Sequence, residues 1–147
     1  MPRLVLYQPE IAANLGAAIR IAACFGTPLD VVEPCGFPWR AKDIERVALD
    51  YKAELSRHAD FPTFRTQRPG RLVLLTTKAA TPYTAVSYQE DDLLLIGQES
   101  AGVPDAIHAA ADERVLIPMA NNARSLNLTV AGAVVLSEAL RQLDAGK

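Results

Sequence analysis

Histidine and cysteine are scarce, two of each in 147 residues, and no pair of them has metal-ligand or redox spacing. Cys24 and Cys35 lack a CxxC arrangement, so two reduced thiols are expected, with no disulfide framework and no bound metal. No GxGxxG follows a strand-like run, which disfavours a dinucleotide fold and the Gly-rich adenosylmethionine loop, and GxxxxGK[ST] is absent too. A nucleophile elbow and a Cys/His couple are also missing, against zinc hydrolysis and covalent acyl transfer. Positive charge is not in excess: the net charge is −2 and the pI about 5.7, unlike a protein that coats nucleic acid. No uncharged run reaches the ~18 residues of a membrane helix. Met1 leads straight into a strand pattern without an apolar signal region, so a cytoplasmic protein with no membrane partner is expected.

What is present is the composition of an ordinary globular domain, 50% hydrophobic and 22% charged. A chain of this size buries roughly 70% of its unfolded surface, and without repeat or linker residues 1–147 read as one domain. Arg3 to Tyr7 reads as a buried strand. Ile11 to Phe25 follows as a helix, with Ile11, Leu15, Ala18, Ile19 and Ala22 directed at the sheet and a stop at Gly26 and Pro28. Gly16 inside that helix costs about 1 kcal/mol against alanine, so something approaches the backbone there; a helix–helix contact and a ligand are both compatible. A strand at Leu29 to Glu33 completes a βαβ unit. After a loop at Pro34 to Trp39, a helix is expected over Ala41 to Leu49. A strand near Glu54 to Ser56 should then give way to irregular chain through Phe64.

Arg71 to Thr76 and Leu93 to Ile96 read as buried strands, joined by a polar connection with a short strand or turn near Ala85 to Tyr88. A helix from Asp105 to Ala111 follows the glycine-bearing loop Gly97 to Pro104, whose lone carboxylate is Glu99. His58 and His108 read as structural or surface residues. Val115 to Ile117 is a strand ended by Pro118, after which Asn121 to Asn127 are largely polar. From Leu128 the residues Val130, Ala131, Ala133, Val134, Val135 and Leu136 cover most of a helix circumference, implying burial on nearly all sides with only Ser137, Glu138, Arg141 and Gln142 wet. Asn127 or Ser125 is the expected N-cap. Strands alternating with helices give an α/β class, a mainly parallel sheet with helices on both faces. Ligands in such sheets sit beyond the strand carboxyl ends, here Leu75 to Thr77, Gly97 to Gly102 and Ile117 to Ser125. Residues 40–71 hold eight basic and five acidic side chains, either a phosphate-binding stripe or a solvated surface.

Taken together, LYQPEIAANLGAAIR at Leu6 to Arg20, LLLIGQESAGVP at Leu93 to Pro104 and VLIPMANNARSLNLTVA at Val115 to Ala131 resemble the SPOUT-class RNA methyltransferases. EPCGFPW, ALDY at Ala48 to Tyr51 and LTTK at Leu75 to Lys78 are most similar to its compact subfamily. That subfamily methylates the ribose 2′-oxygen of the wobble nucleotide, position 34, of tRNA, a cytidine or modified uridine, with S-adenosylmethionine. The resemblance implies a homodimer acting on tRNA and an α/β knot fold with a deep C-terminal trefoil knot over roughly residues 75–147. It implies a cofactor site at Leu75, Gly97, Ile117, Met119, Ser125 and Leu126. It also implies catalytic roles for Arg20, Asn14, Glu99 and Asn127, with Arg20 reaching the partner subunit's cofactor. A same-class enzyme acting on another RNA site and a non-catalytic RNA-binding dimer are the competing readings.

Overall fold

The structure, a computed structural model, describes residues 1–121, 123 and 126–145. Among the described residues seven parallel strands form one sheet, and the chain visits them out of order. β1 (Arg3–Tyr7) is central; α1 (Ala12–Phe25) leads to β2 (Leu29–Val32), and α2 (Ala41–Val47) to β3 (Leu55–His58). After α3 (Phe61–Gln67) the chain crosses to the other side of β1. There it lays down β4 (Leu72–Leu75), a short β5 (Thr81–Pro82), β6 (Leu93–Ile96), α4 (Asp105–Ala110), β7 (Glu113–Leu116) and finally α5 (Leu128–Ala145). The strand order is β3-β2-β1-β6-β4-β7-β5, and each recorded pairing is parallel. β6 is inserted between β1 and β4, which makes this side a switch point where a crevice opens at the carboxyl ends.

Alternation along the strands divides the core between the two faces, as the helices on both sides require. Leu4 and Leu6 pack with Leu15, Ala18, Ala48, Val135 and Leu136 beneath α1, α2 and α5. Val5 and Tyr7 pack with Phe64 and Ile107 beneath α3 and α4. Asp30 is fully buried on β2 and is held by Arg3, His58 and Arg68, with His58 Nε2 at 2.7 Å and Arg68 Nε at 3.3 Å. A carboxylate in that setting requires such partners, and His58 is accordingly a hydrogen-bonded core residue.

Five expectations need correction. Ile11 does not face the sheet; it is the N-cap position of α1 and 48% exposed, because its backbone is extended at φ −124° and ψ 124° and the helical repeat that turns Leu15, Ala18, Ile19 and Ala22 inward starts only at Ala12. Residues 61–67 are helical, not irregular: Asp60 accepts from Thr63 N at 2.8 Å, a proline opens the helix, and Phe64 anchors it in the core. The signal was present in D-F-P-T, an N-cap acid followed by proline. The short elements before β6 lie earlier than Ala85 to Tyr88, at Thr81–Pro82 and a 3₁₀ turn at Tyr83–Ala85. α5 is not buried all round: Leu136 and Ala139 face the sheet, whereas Val130 is 49% exposed. Gln142 is not wet either; its amide accepts from Tyr88 N at 2.9 Å and donates to Val86 O at 3.0 Å, pinning α5 behind the 83–88 segment.

Candidate active site

The three predicted loops do converge. A cavity of about 820 Å³ opens at the carboxyl ends of β4, β6 and β7, lined by residues 74–78, 96–103, 115–117 and 126–128 among others. Of the predicted cofactor residues, Leu75, Gly97, Ile117, Met119 and Leu126 line it; Ser125 lies outside the described residues. The cavity is within the 300–1,000 Å³ range of small-molecule sites and combines aliphatic walls with exposed main chain. Gly97 is required by close backbone approach, since a Cβ there would meet Gly102 C at 2.6 Å and Gly102 O at 2.7 Å. The pair is closed by Gln98 N to Gly102 O at 2.7 Å and Gly102 N to Gln98 O at 2.9 Å, with Gly102 at φ 64°. Residues 98–102 thus make a tight turn that presents Glu99 and Ser100 at its tip.

That turn is fastened to the start of α1. Ser100 donates through N at 3.1 Å and through Oγ at 2.8 and 2.9 Å to the Glu10 carboxylate, and Gln98 Nε2 donates to Gln8 O at 3.3 Å. Those bonds hold the Glu10 carboxyl below its ordinary value of 4.5, the Ser100 backbone bond contributing most. Between these fasteners Asn14 Nδ2 donates to Glu99 Oε1.

The orientation of Asn14 is fixed from α5. Asn127 is the N-cap of that helix: its Oδ1 accepts from Thr129 N at 3.0 Å, Val130 N at 3.2 Å and Thr129 Oγ1 at 2.7 Å. With the oxygen occupied, Nδ2 donates to Asn14 Oδ1 at 3.5 Å. Asn14 is therefore left its own Nδ2 for Glu99, which as a carboxylate only accepts. The order of donors runs Asn127, Asn14, Glu99, so three of the four predicted catalytic residues form one hydrogen-bonded row.

Arg20 stands apart on the exposed side of α1. It borders a second cavity of about 660 Å³ between α1 and α5, beside Ile21, Val130, Val134 and Glu138, and its guanidinium carbon lies 5.1 Å from the Tyr51 ring centroid. Within one chain it is not brought to Glu99. The basic stripe is also thinner than the count suggested. Arg68 serves Asp30, Arg71 bonds Asp92 at 2.7 Å, Arg65 donates to the carbonyls of Arg68 and Gly70, and Arg57 pairs with Glu33 over the Trp39 ring. Arg40, Lys42, Arg46 and Lys52 remain exposed.

Sequence reasoning assigned no role to Glu10 and Ser100, although PE directly after the first strand was the available signal. It also missed Asp105 and His108 of the helix that follows the Glu99 loop, both of which line the larger cavity. Among the described residues His108 Nε2 is buried without a hydrogen-bond partner, a polar atom that a ligand could satisfy. S-adenosylmethionine fits this site: its adenine suits the aliphatic walls and main-chain groups, and its charged tail suits the polar loop. Among the described residues no group of three His, Cys, Asp or Glu side chains gathers to hold a metal, and no helix is long and apolar enough to cross a membrane.

Comparison with known proteins agrees with this geometry. Residues 1–137 match the SpoU rRNA Methylase family. A tRNA (cytidine(34)-2'-O)-methyltransferase from Beijerinckia indica is 50% identical over 147 residues, covering 97% of this chain and 92% of its own. A solved structure concerned with the 2-OH methylation of C/U34 on tRNA superposes with a TM-score of 0.93 at 38% identity, over 99% of this chain and 97% of that one. The SpoU methyltransferase AviRb from Streptomyces viridochromogenes, solved in complex with the cofactor AdoMet, has a TM-score of 0.87 at 26% identity, over 99% of this chain and 61% of that one.

Proposed function

The chain belongs to the SpoU rRNA Methylase family, with its trefoil-knotted α/β fold, and from that we propose a cytoplasmic tRNA methyltransferase that acts on the ribose 2′-oxygen of nucleotide 34. The observation that carries the reading is the hydrogen-bonded row Asn127, Asn14, Glu99 at the mouth of the larger cavity. It supports a reading in which the Glu99 carboxylate, beside the cofactor crevice, receives the proton. The whole chain is one domain, the knot occupying about residues 75–147. S-adenosylmethionine, held at Leu75, Gly97, Ile117, Met119, Ser125 and Leu126, supplies an electrophilic sulfonium methyl.

The chain's own residues have to align the 2′-hydroxyl and take its proton, and alignment alone is a large source of acceleration. Glu99, held by Asn14 and through it by Asn127, accepts the proton. Arg20 fixes the ribose and its neighbouring phosphate and stabilises charge developing on the oxygen. A guanidinium does not act as a base, because it keeps its proton above about pH 12. Arg20 reaches the reacting group only across a dimer. The α1/α5 cavity supports that arrangement: Ala17, Ile21, Val130, Ala133 and Val134 form its apolar lining, Val130 is 49% exposed, and Arg20 sits on the rim. A second copy of the chain is its occupant.

Methyl transfer to total tRNA and cofactor binding, measured on the wild type and on Arg20→Ala, test the assignment. The variant is expected to bind S-adenosylmethionine normally and to transfer no methyl. Full activity in Arg20→Ala would remove Arg20 from the mechanism.

A further inference from the structure

We propose that Tyr51 is a positioning residue for methyl transfer, gripping the flat face of the Arg20 guanidinium so that its N–H edge is left for the substrate. The inference rests on the role given to Arg20 above; its geometry stands independently of that role.

The placement begins at Gly16. A Cβ there would collide with the backbone of Val47, its side chain included at 2.7 Å, so the absence of a side chain lets the end of α2 lie directly on α1. Arg20 is one helical turn beyond Gly16 and shares its face. Tyr51 is four residues beyond Val47, and the two segments meet again there. They meet as a cation over a ring, 5.1 Å from guanidinium carbon to ring centroid, within the ~6 Å at which such contacts attract.

Between Val47 and Tyr51 the backbone turns sharply as α2 ends. Leu49 and Asp50 both have positive φ, 53° and 63°, a conformation that side chains beyond glycine, asparagine and aspartate rarely adopt. The turn is held by Asp50 N to Glu45 O at 3.2 Å and Tyr51 N to Ala48 O at 3.0 Å. With Leu49 N to Arg46 O at 3.2 Å these bonds close α2 in a left-handed cap, which keeps Ala48 in the core at 2% exposure and leaves Leu49 59% and Tyr51 41% exposed. What the turn achieves here is to set the Tyr51 ring against Arg20.

The chemistry fits the role. A guanidinium held by its face keeps its five in-plane N–H donors free, and among the described residues none of Arg20's is taken by an acceptor. Its long side chain would otherwise sample many rotamers; the ring removes part of that freedom before substrate arrives.

The test compares Tyr51→Phe, Tyr51→Leu and Tyr51→Ala in the full chain, with Arg20→Ala alongside, measuring kcat and KM on tRNA and S-adenosylmethionine binding separately. Tyr51→Phe keeps the ring and is expected to match the wild type. Tyr51→Leu keeps bulk without the ring and should lower kcat/KM for tRNA about threefold to tenfold, with cofactor affinity and melting temperature unchanged; Tyr51→Ala should do the same or more. Wild-type activity in Tyr51→Leu, or an equal loss in Tyr51→Phe, would overturn the inference. If Tyr51→Leu is fully active while Arg20→Ala is dead, only the Tyr51 role fails; if Arg20→Ala is itself active, the reading of Arg20 fails first and Tyr51 has nothing to position.

Discussion

Asn127 accepts from two main-chain N–H groups at the start of α5 while its amide nitrogen steers Asn14. Asn127→Ala therefore removes a helix cap, a loss of about 0.5–2 kcal/mol, and frees Asn14 to turn away from Glu99. Denaturant unfolding should show the first effect and a fall in kcat the second; unchanged values for both would refute the row of donors. Glu10 gives a pH signature. Its folded value is depressed, so its hold on Ser100 is complete above the ordinary value of 4.5 and is lost as pH falls through the lower folded value. Cofactor affinity should be flat on this account from about pH 5.5 to 8, and Glu10→Ala should weaken it several-fold throughout that range by calorimetry. The thiols differ in the same way. Burial, followed by the neighbouring Glu33, pushes Cys35 up to about 11, whereas Cys24 is exposed. Alkylation at pH 8 with the protein folded should label Cys24 and spare Cys35; mass spectrometry of the peptides decides it.

At the scale of elements, the crossing of α1 and α2 at Gly16 allows magnitudes to be set against each other. Gly16→Ala gains up to about 1 kcal/mol of helix propensity. It also forces apart two backbones that cannot yield as a side-chain tip could, at a cost of about 1–3 kcal/mol. A lowered melting temperature is expected, and a raised one would mean that the crossing is looser than described. The same helices show what was legible in the sequence. α1 was readable because four apolar residues repeat at helical spacing, and its odd glycine correctly announced a close approach, with Val47 as the neighbour. α3 was missed because seven residues carry too little periodicity, although its cap was in plain view. α5 was misjudged because an apolar surface in sequence does not say whether its own chain or a second one covers it. Strand identity and the crevice loops were legible from apolar runs ending in glycine or proline, whereas the residues named for the cofactor came from the family resemblance. The Asn14–Glu99 bond and the Glu10–Ser100 fastening were not legible, because contacts 85 to 90 residues apart leave no local periodic trace.

For the whole molecule, the account requires two chains. The exposed apolar face of α5 and the isolation of Arg20 from the Glu99 row are explained together if a second copy covers the α1/α5 cavity. Val130→Glu places a charge in that contact at an exposed position where the single chain does not need valine. The variant should sediment as a folded monomer, retain its circular dichroism and lose methyl transfer. A persistent dimer would redirect the interface elsewhere. The most direct test of the central claim is the site of modification. Total tRNA from a strain lacking this protein would be incubated with the protein and labelled S-adenosylmethionine, then digested with nuclease and its modified nucleoside located by mass spectrometry. The account predicts a 2′-O-methyl group at position 34; incorporation at any other position, or none from protein that binds the cofactor, would contradict it.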